Sequence, residues 1–363
     1  MSPLDITNVP SLWERLQTAD KPIILYGMGD GAQKVLNVMN EKNISPAGFM
    51  ASDDFVRGHS FAGFEVRKYS DIKAQYGEFI VLVCFGTQRP EVLENIHRIA
   101  AEQELYVPDV PVIGGGLFDK EYAEEHIEEL SEVYGMLADE QSRRLFEGWL
   151  YYRISGDIRY LIPHQTEKGA AYPLLELGES ETYADLGAFN GDTVEEFLTA
   201  TGGKVRRVYA FEPDRKSLER LKKRHAALED KLVTINAGAW DREEELPFVS
   251  KGGRNSGFIP FTGGLPPKAA SVKMTPMKSL DGVAGDDDVT VIKFDTEGCE
   301  DRAIDGCEQI IRRCKPKLIV SLYHRPEDMF ALPLKIKALN PEYRMYLREP
   351  PYLPAWDVEL YCK

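Results

Sequence analysis

Short, wholly apolar runs alternate along this chain with longer stretches of helical periodicity, and glycine or acid marks most of the changes. Residues 21–43, KPIILYGMGDGAQKVLNVMNEKN, read as strand, glycine turn and helix. SPAGFMASDD (45–54) begins as a second strand and ends in acids. GEFIVLVCFG (77–86) is a continuous apolar run, the pattern of a parallel strand covered on both faces. A helical stretch at 90–105 and a proline-limited edge segment, YVPDVPVI (106–113), follow. Together they predict a small open α/β unit of about four or five strands, ending near Gly114-Gly115-Gly116.

Residues 117–180 carry no strand signal. Leu130, Val133, Tyr134 and Leu137 recur at helical spacing, so the segment is predicted to be a helical connector between two domains, with Arg153, Tyr160, His164 and Tyr172 candidates to reach a cleft. From 181 onward strands and helices alternate again. Strands are predicted over 182–187, 206–212, 231–236, 289–295 and 316–323, and helices over 192–201, 215–228, 299–313 and 332–340. The last two strands, YRMYLRE (343–349) and DVELYCK (357–363), are joined by PPYLPAW, which leaves no room for a helix. They must pair as a hairpin and put one antiparallel strand into a mostly parallel sheet. The Gly/Pro/Ser-rich stretch 250–271 reads as a mobile flap over a site or as a linker.

The most informative chemistry sits where the strands at 182–187 and 206–212 end. ETYADLGAFNGDT (181–193) is an apolar strand, a glycine turn and a helix start, and the next strand closes on Glu212. Backbone approaches a ligand closely where there is no Cβ, and an acid at the next strand end accepts hydrogen bonds from ribose hydroxyls. The turn Gly187-Ala188-Phe189-Asn190-Gly191 is not G-x-G-x-x-G and has no basic residue for a phosphate. It favours a nucleoside without a pyrophosphate, and S-adenosylmethionine (SAM) fits better than NAD. The bland alternative is an ordinary strand–turn–helix whose acid only caps the next helix; Pro213 suits a helix start and is compatible with either role. Seven strands with the last antiparallel is also the arrangement of class I SAM methyltransferases. The fold class is therefore α/β, with two Rossmann-like domains: residues 1–116, and a seven-stranded methyltransferase sheet in 181–363, joined by the connector 117–180.

Composition narrows the partners. The formal net charge of −15 argues against nucleic acid, because phosphate binding is carried by Lys and Arg. The basic run RKSLERLKKRH (215–225) reads as the solvated face of a helix. No apolar run reaches transmembrane length, and the first 20 residues lack the basic start and apolar core of a signal peptide. The five cysteines form no C-x-x-C pair and read as reduced thiols, so a cytoplasmic location is expected.

With these segments placed, DLGAFNGDT (185–193), FEPD (211–214), NAGAW (236–240), SLDG (279–282), IKFDTEGCE (292–300) and VSLYHRPED (320–328) together resemble the FkbM-type family of SAM-dependent methyltransferases over about 181–350. The resemblance implies methyl transfer to a hydroxyl oxygen of a saccharide or related natural product. It implies a cofactor site at Asp185, Gly187, Ala188, Asn190, Gly191, Glu212, Pro213 and Asp295, with backbone from Asn236 through Gly238 and Ala239 near the adenine. The N-terminal part, LYGMGDGAQ to VLVCFGTQRPEVLENI, more loosely resembles the Rossmann-like nucleotide-sugar-binding domain at the front of bacterial sugar O-acyltransferases.

An alcohol nucleophile must lose its proton, and a positioned base contributes roughly 10²–10⁴-fold. His324, after the fifth core strand, is the expected base, with Asp295 beside it; the alternative is a structural histidine satisfied by backbone. Asp295, Glu297 and His324 also offer O and N ligands for Mg²⁺ or Mn²⁺, a reading placed below the base because no further ligand has fixed spacing. In the first domain, Gly27, Gly29, Asp30 and Gly31 lie in a G-x-G-x-x-A turn, with Asp53 and Asp54 where a ribose acid belongs. Asp30 would repel a pyrophosphate, so a nucleotide-sugar or a purely structural role ranks above NAD. The expected partner is a small-molecule or glycan acceptor, nucleotide-linked or lipid-linked, and an oligomer is compatible with the sequence. The competing reading is a non-catalytic SAM- or nucleotide-sugar-binding scaffold.

Overall fold

The computed structural model describes residues 4–53, 58–114, 116–249, 257–258 and 272–363. Its first sheet has β1 (Ile23–Tyr26), β2 (Gly48–Ala51), β3 (Ser60–Phe61), β4 (Phe64–Lys68), β5 (Ile80–Val83) and β6 (Glu104–Tyr106), in the order β3-β4-β2-β1-β5-β6. β1, β2 and β5 are buried at every position, as expected of apolar parallel strands with helices on both faces. The antiparallel pair β3 and β4 was not anticipated, and the edge strand β6 starts two residues before the segment predicted for it.

The second region opens with β7 (Glu181–Leu186), β8 (Val205–Phe211) and β9 (Leu232–Ile235). A small sheet follows, made of β10 (Gly238–Ala239), β11 (Glu244–Val249), β12 (Gly257–Phe258) and β13 (Val272–Lys278), in the order β10-β13-β11-β12. Then come β14 (Val291–Phe294), β15 (Lys317–Ser321), β16 (Met345–Arg348) and β17 (Glu359–Cys362). The large sheet runs β16-β17-β15-β14-β7-β8-β9, with β17 antiparallel to both β15 and β16. The strand order reverses between β7 and β14, so their carboxyl ends open a crevice. Apart from β12, the stretch 250–271 lies outside the described residues, as do Asp54 and Gly115.

The segment between the two sheets is helical, with its longest helix at Glu140–Ser155. Asp139 caps that helix by accepting the Ser142 N–H at 2.8 Å, and Gly156, at φ +66°, ends it. Leu145, Phe146, Trp149, Leu150 and Tyr152 are buried in a core shared with residues of both sheets. Ser142 Oγ accepts the Leu347 N–H at 2.9 Å. At the other end Arg153 pairs with Asp109 at 2.7 Å, its guanidinium 3.9 Å from the Phe118 ring centroid. Far from reaching a cleft, Arg153 is buried where the sheets meet. A single bridge, Thr87 to Leu353, also ties the first sheet to the loop before β17.

Candidate active site

The turn after β7 is shaped by how closely β7 and β14 approach at their ends. Gly187 has φ +102°, and a Cβ there would lie 1.8 Å from the Asp295 carbonyl oxygen, so no other residue fits. The Gly187 and Ala188 N–H groups both donate to the Phe211 carbonyl, at 3.1 and 2.9 Å, which anchors the turn to the end of β8.

A cavity of about 1210 Å³ opens at this edge. It exceeds the roughly 300–1,000 Å³ of a single small-ligand pocket, so it has room for a nucleoside and an acceptor together. Of the residues expected in a cofactor site, Gly187, Glu212, Pro213, Gly238, Ala239 and Asp295 line it, with Asn236 beside them. Asp185, Ala188, Asn190 and Gly191 do not. Asp185 is fully buried beneath the turn and accepts a hydrogen bond from the Thr193 hydroxyl. The Asn190 side chain accepts from Arg224 at 2.9 Å, and a Cβ on Gly191 would strike the His225 ring; both face the helix Arg215–Arg224 and its end. Alternate turn positions point away from the crevice, and a pattern of residue types does not show which.

Glu212 is 6% exposed. Its Oε1 accepts the Asp214 N–H at 2.6 Å. Burial, only partly offset by that bond, pushes its carboxyl up to about 8. Deeper in the cavity lies a charged group that the sequence reading missed. Lys293, within the apolar strand β14, reaches Asp295 at 3.0 Å and Glu359 at 3.4 Å. Burial would lower its ammonium, but Asp295, Glu359 and Asp185 outweigh that and hold it well above the usual range. A lysine in a strand buried at all four positions was the available signal. Asp357 lines the same wall, pushed up to about 7 by burial and by the charge of Glu359.

His324 is not among the cavity-lining residues and is 0% exposed. Its Nε2 lies 3.7 Å from Asp295 Oδ1 and 3.6 Å from Glu297 Oε2, and its Nδ1 lies 3.1 Å from Glu300 Oε1. Burial alone would lower the imidazole, but Glu300, Glu297 and Asp295 outweigh it and push it up to about 10. The expected base thus lies behind the cavity wall and not on it. A strand-end position places a residue at the crevice edge without fixing its depth, which is why this was not legible. Asp295 and Glu297 stand between His324 and the cavity.

The N-terminal turn has packing reasons for its glycines. A Cβ on Gly31 would lie 2.4 Å from the Cys84 carbonyl oxygen, and one on Gly27, at φ +125°, would lie 2.9 Å from the Phe85 ring. Gly29 has open space, Asp30 is exposed and 3.5 Å from Lys34, and Asp53 is exposed beside the Ser70 N–H. None of these five lines the large cavity. Other parts of the N-terminal half do: Gln88, after β5, and Val112. Tyr172 and Lys168 of the connector, Met274 and Thr275 of β13, and Tyr352 and Trp356 of the hairpin loop line it as well. Of the connector residues expected at a cleft, only Tyr172 lines the cavity.

Residues 185–353 match the family model for the methyltransferase FkbM domain. The chain is similar to a solved methyltransferase FkbM from Methylobacillus flagellatus KT, with a TM-score of 0.73 and 20% identity, covering 98% of this chain and 94% of that one. That likeness shows a shared fold along nearly the whole chain. An rRNA methylase from Streptococcus thermophilus (TM-score 0.35, 14% identity, 54% of this chain and 92% of that one) and a fibrillarin from Aeropyrum pernix with natively bound S-adenosyl-L-methionine (0.30, 12%, 54% and 74%) match too weakly to carry an argument. No curated protein matches. The N-terminal likeness to sugar acyltransferases finds no counterpart among these matches.

Proposed function

We propose that the chain is a SAM-dependent O-methyltransferase whose acceptor is a hydroxyl of a saccharide or related natural product. The observation that carries this is Glu212, a nearly buried carboxyl lining a cavity at the point where the strand order reverses, beside a glycine turn without a phosphate cradle. Glu212 grips the ribose. Gly187 runs beneath the methionine part, and the backbone of Asn236, Gly238 and Ala239 borders the adenine. SAM brings two positive charges, a sulfonium and an ammonium. The cavity wall meets them with Asp295, Glu297, Asp357 and Glu359 against Lys293.

Methyl transfer is an in-line displacement at the sulfonium methyl, so the enzyme mainly aligns the reactants and excludes water. The acceptor hydroxyl loses its proton at the acidic end, beside Asp295 and Glu297. His324 acts from behind them as a positioning residue. The cavity's size and its acceptor wall of Gln88, Tyr172, Tyr352 and Trp356 favour catalysis over a closed sensor site. Among the described residues no helix is long and apolar enough to cross a membrane, in keeping with a water-borne acceptor or the exposed headgroup of a lipid-linked one.

Two measurements test the proposal. Calorimetric titration with S-adenosylhomocysteine (SAH) should give one site per chain. Incubation with methyl-labelled SAM and a panel of glycans and sugar nucleotides should transfer label to an alkali-stable ether. Binding without transfer to any hydroxyl acceptor would favour the scaffold reading, and absence of binding would end the methyltransferase one.

A further inference from the structure

The acidic end of the cavity contains more charge and fewer hydrogen bonds than a deprotonating site requires. Glu300 is 1% exposed. Its Oε1 accepts the Thr296 N–H at 2.6 Å and the Thr296 hydroxyl at 3.0 Å, while Oε2 is buried without a partner. Both nitrogens of His324 are buried without an aligned hydrogen bond, the 3.1 Å approach of Nδ1 to Glu300 being too bent to count as one. Buried carboxylate oxygens and ring nitrogens are rarely left without aligned hydrogen bonds, because charge proximity alone replaces only part of their lost hydration. Asp295, Glu300 and His324 can each present a ligand atom such that all lie within 4.8 Å of one another. Glu297 Oε2 reaches the same imidazole from the cavity side at 3.6 Å, on a residue whose φ of +56° turns it back over the site.

We propose that Asp295, Glu300 and His324, with Glu297 closing the cavity side, hold one divalent cation of the Mg²⁺ or Mn²⁺ type. The spacing fits. Bonds of about 2.1 Å put neighbouring ligand atoms roughly 3.0–3.4 Å apart; Asp295 and Glu297 stand 3.7 and 3.6 Å from Nε2, and Glu300, whose Oε1 faces Nδ1, joins them by turning its carboxylate within the 4.8 Å cluster. The ligands fit too: carboxylates with one imidazole suit Mn²⁺ and Mg²⁺ better than a thiolate-seeking ion. A cation here takes the place of the second imidazole proton among the carboxylates of Asp295, Glu297 and Glu300, beside Lys293 on Asp295. Because Asp295 and Glu297 line the cavity, the ion enters from it and keeps a face open towards it.

The use of such an ion rests on the methyltransferase reading, whereas the site itself does not. An acceptor hydroxyl bound to the cation loses its proton to cavity water at lower cost. Its oxygen then forms the O–C bond as the C–S bond breaks, the electron pair returning to sulfur to leave the neutral thioether of SAH.

Mn²⁺ binding to the chelator-stripped, full-length protein, followed by electron paramagnetic resonance, tests the site without any turnover. One Mn²⁺ per chain is expected. Glu300→Gln and Glu297→Gln, which preserve size, should each weaken binding by at least about tenfold. Glu297→Gln lies at the cavity wall and keeps the test usable if the Glu300 variant does not fold. SAH titration runs in parallel. Mn²⁺ binding without SAH binding would leave the metal site standing and remove the methyltransferase reading. No saturable Mn²⁺ binding to stripped protein that still binds SAH, or binding indifferent to both substitutions, would overturn the metal site.

Discussion

Replacing Glu212 separates the ligand role of this acid from its structural one. In the free protein its carboxyl is pushed up to about 8, chiefly by burial, against an ordinary value of 4.5. The unfolded chain therefore gives up this proton near pH 4.5, whereas the folded chain keeps it until near pH 8. Folding then requires proton uptake, and the contribution of this group to stability falls as pH rises through that window. A difference of about 3.5 units at 1.36 kcal/mol each sets an upper bound of roughly 5 kcal/mol. Glu212→Gln removes the titration, so the unliganded variant should melt above wild type by a margin that grows from pH 5 to pH 8. Ligand binding should move the other way. Ribose hydroxyls donate to the ionised carboxylate, and hydrogen bonds to a charged group contribute about 1.5–3 kcal/mol. Glu212→Ala should then weaken SAH binding by about 10- to 150-fold, and wild-type affinity should rise with pH towards 8 while that of Glu212→Gln stays flat. The assays are calorimetric titration with SAH and thermal melts across pH 5–8. SAH affinity unchanged in both variants would remove Glu212 from the site. A melting difference that does not depend on pH would refute the burial argument.

Other outcomes follow from the geometry. Arg153→Met leaves Asp109 buried without its partner and should cost about 3–5 kcal/mol, seen as a lower melting temperature; Arg153→Met with Asp109→Leu should recover most of it. A Cβ on Gly86 would lie 2.8 Å from the Trp356 ring, so Gly86→Ala should shift tryptophan emission and displace the acceptor wall while SAH affinity holds. A fall in SAH affinity with unchanged emission would contradict that division of the cavity. Thermal-shift screening of UDP- and GDP-sugars addresses the N-terminal turn: because packing accounts for Gly27 and Gly31, any stabilisation should survive Asp53→Ala, and its loss in that variant would assign the turn a ligand.

Much of the large sheet was legible because its strands are buried on both faces and announce themselves as apolar runs. The hairpin before the end was legible by elimination, since seven residues cannot hold a crossover helix. The small sheet was not. Its β10 and β12 are two residues each, and Pro247 and Pro276 sit inside the other two strands, where they argue against a strand in any sequence reading. At the site, Glu212 and Gly187 were found because an acid at a strand end and a glycine at a close approach follow from chain geometry. The depth of His324, the inward reach of Lys293 and the outward facing of Asn190 and Gly191 depend on tertiary packing, and no local pattern encodes them.

The Thr87–Leu353 bridge and the contact of Gly86 with Trp356 have a consequence for how such a protein diversifies. The end proposed to hold the cofactor is built where strands of one sheet converge, and a Cβ on Gly187 is already forbidden by its neighbour. The end assigned here to the acceptor is built from loops of both halves, with Gln88 and Tyr352 lining it although hundreds of positions separate them along the chain. On the proposed reading, substitutions around Gln88 would change which acceptor fits while leaving the donor end at Gly187 as it is.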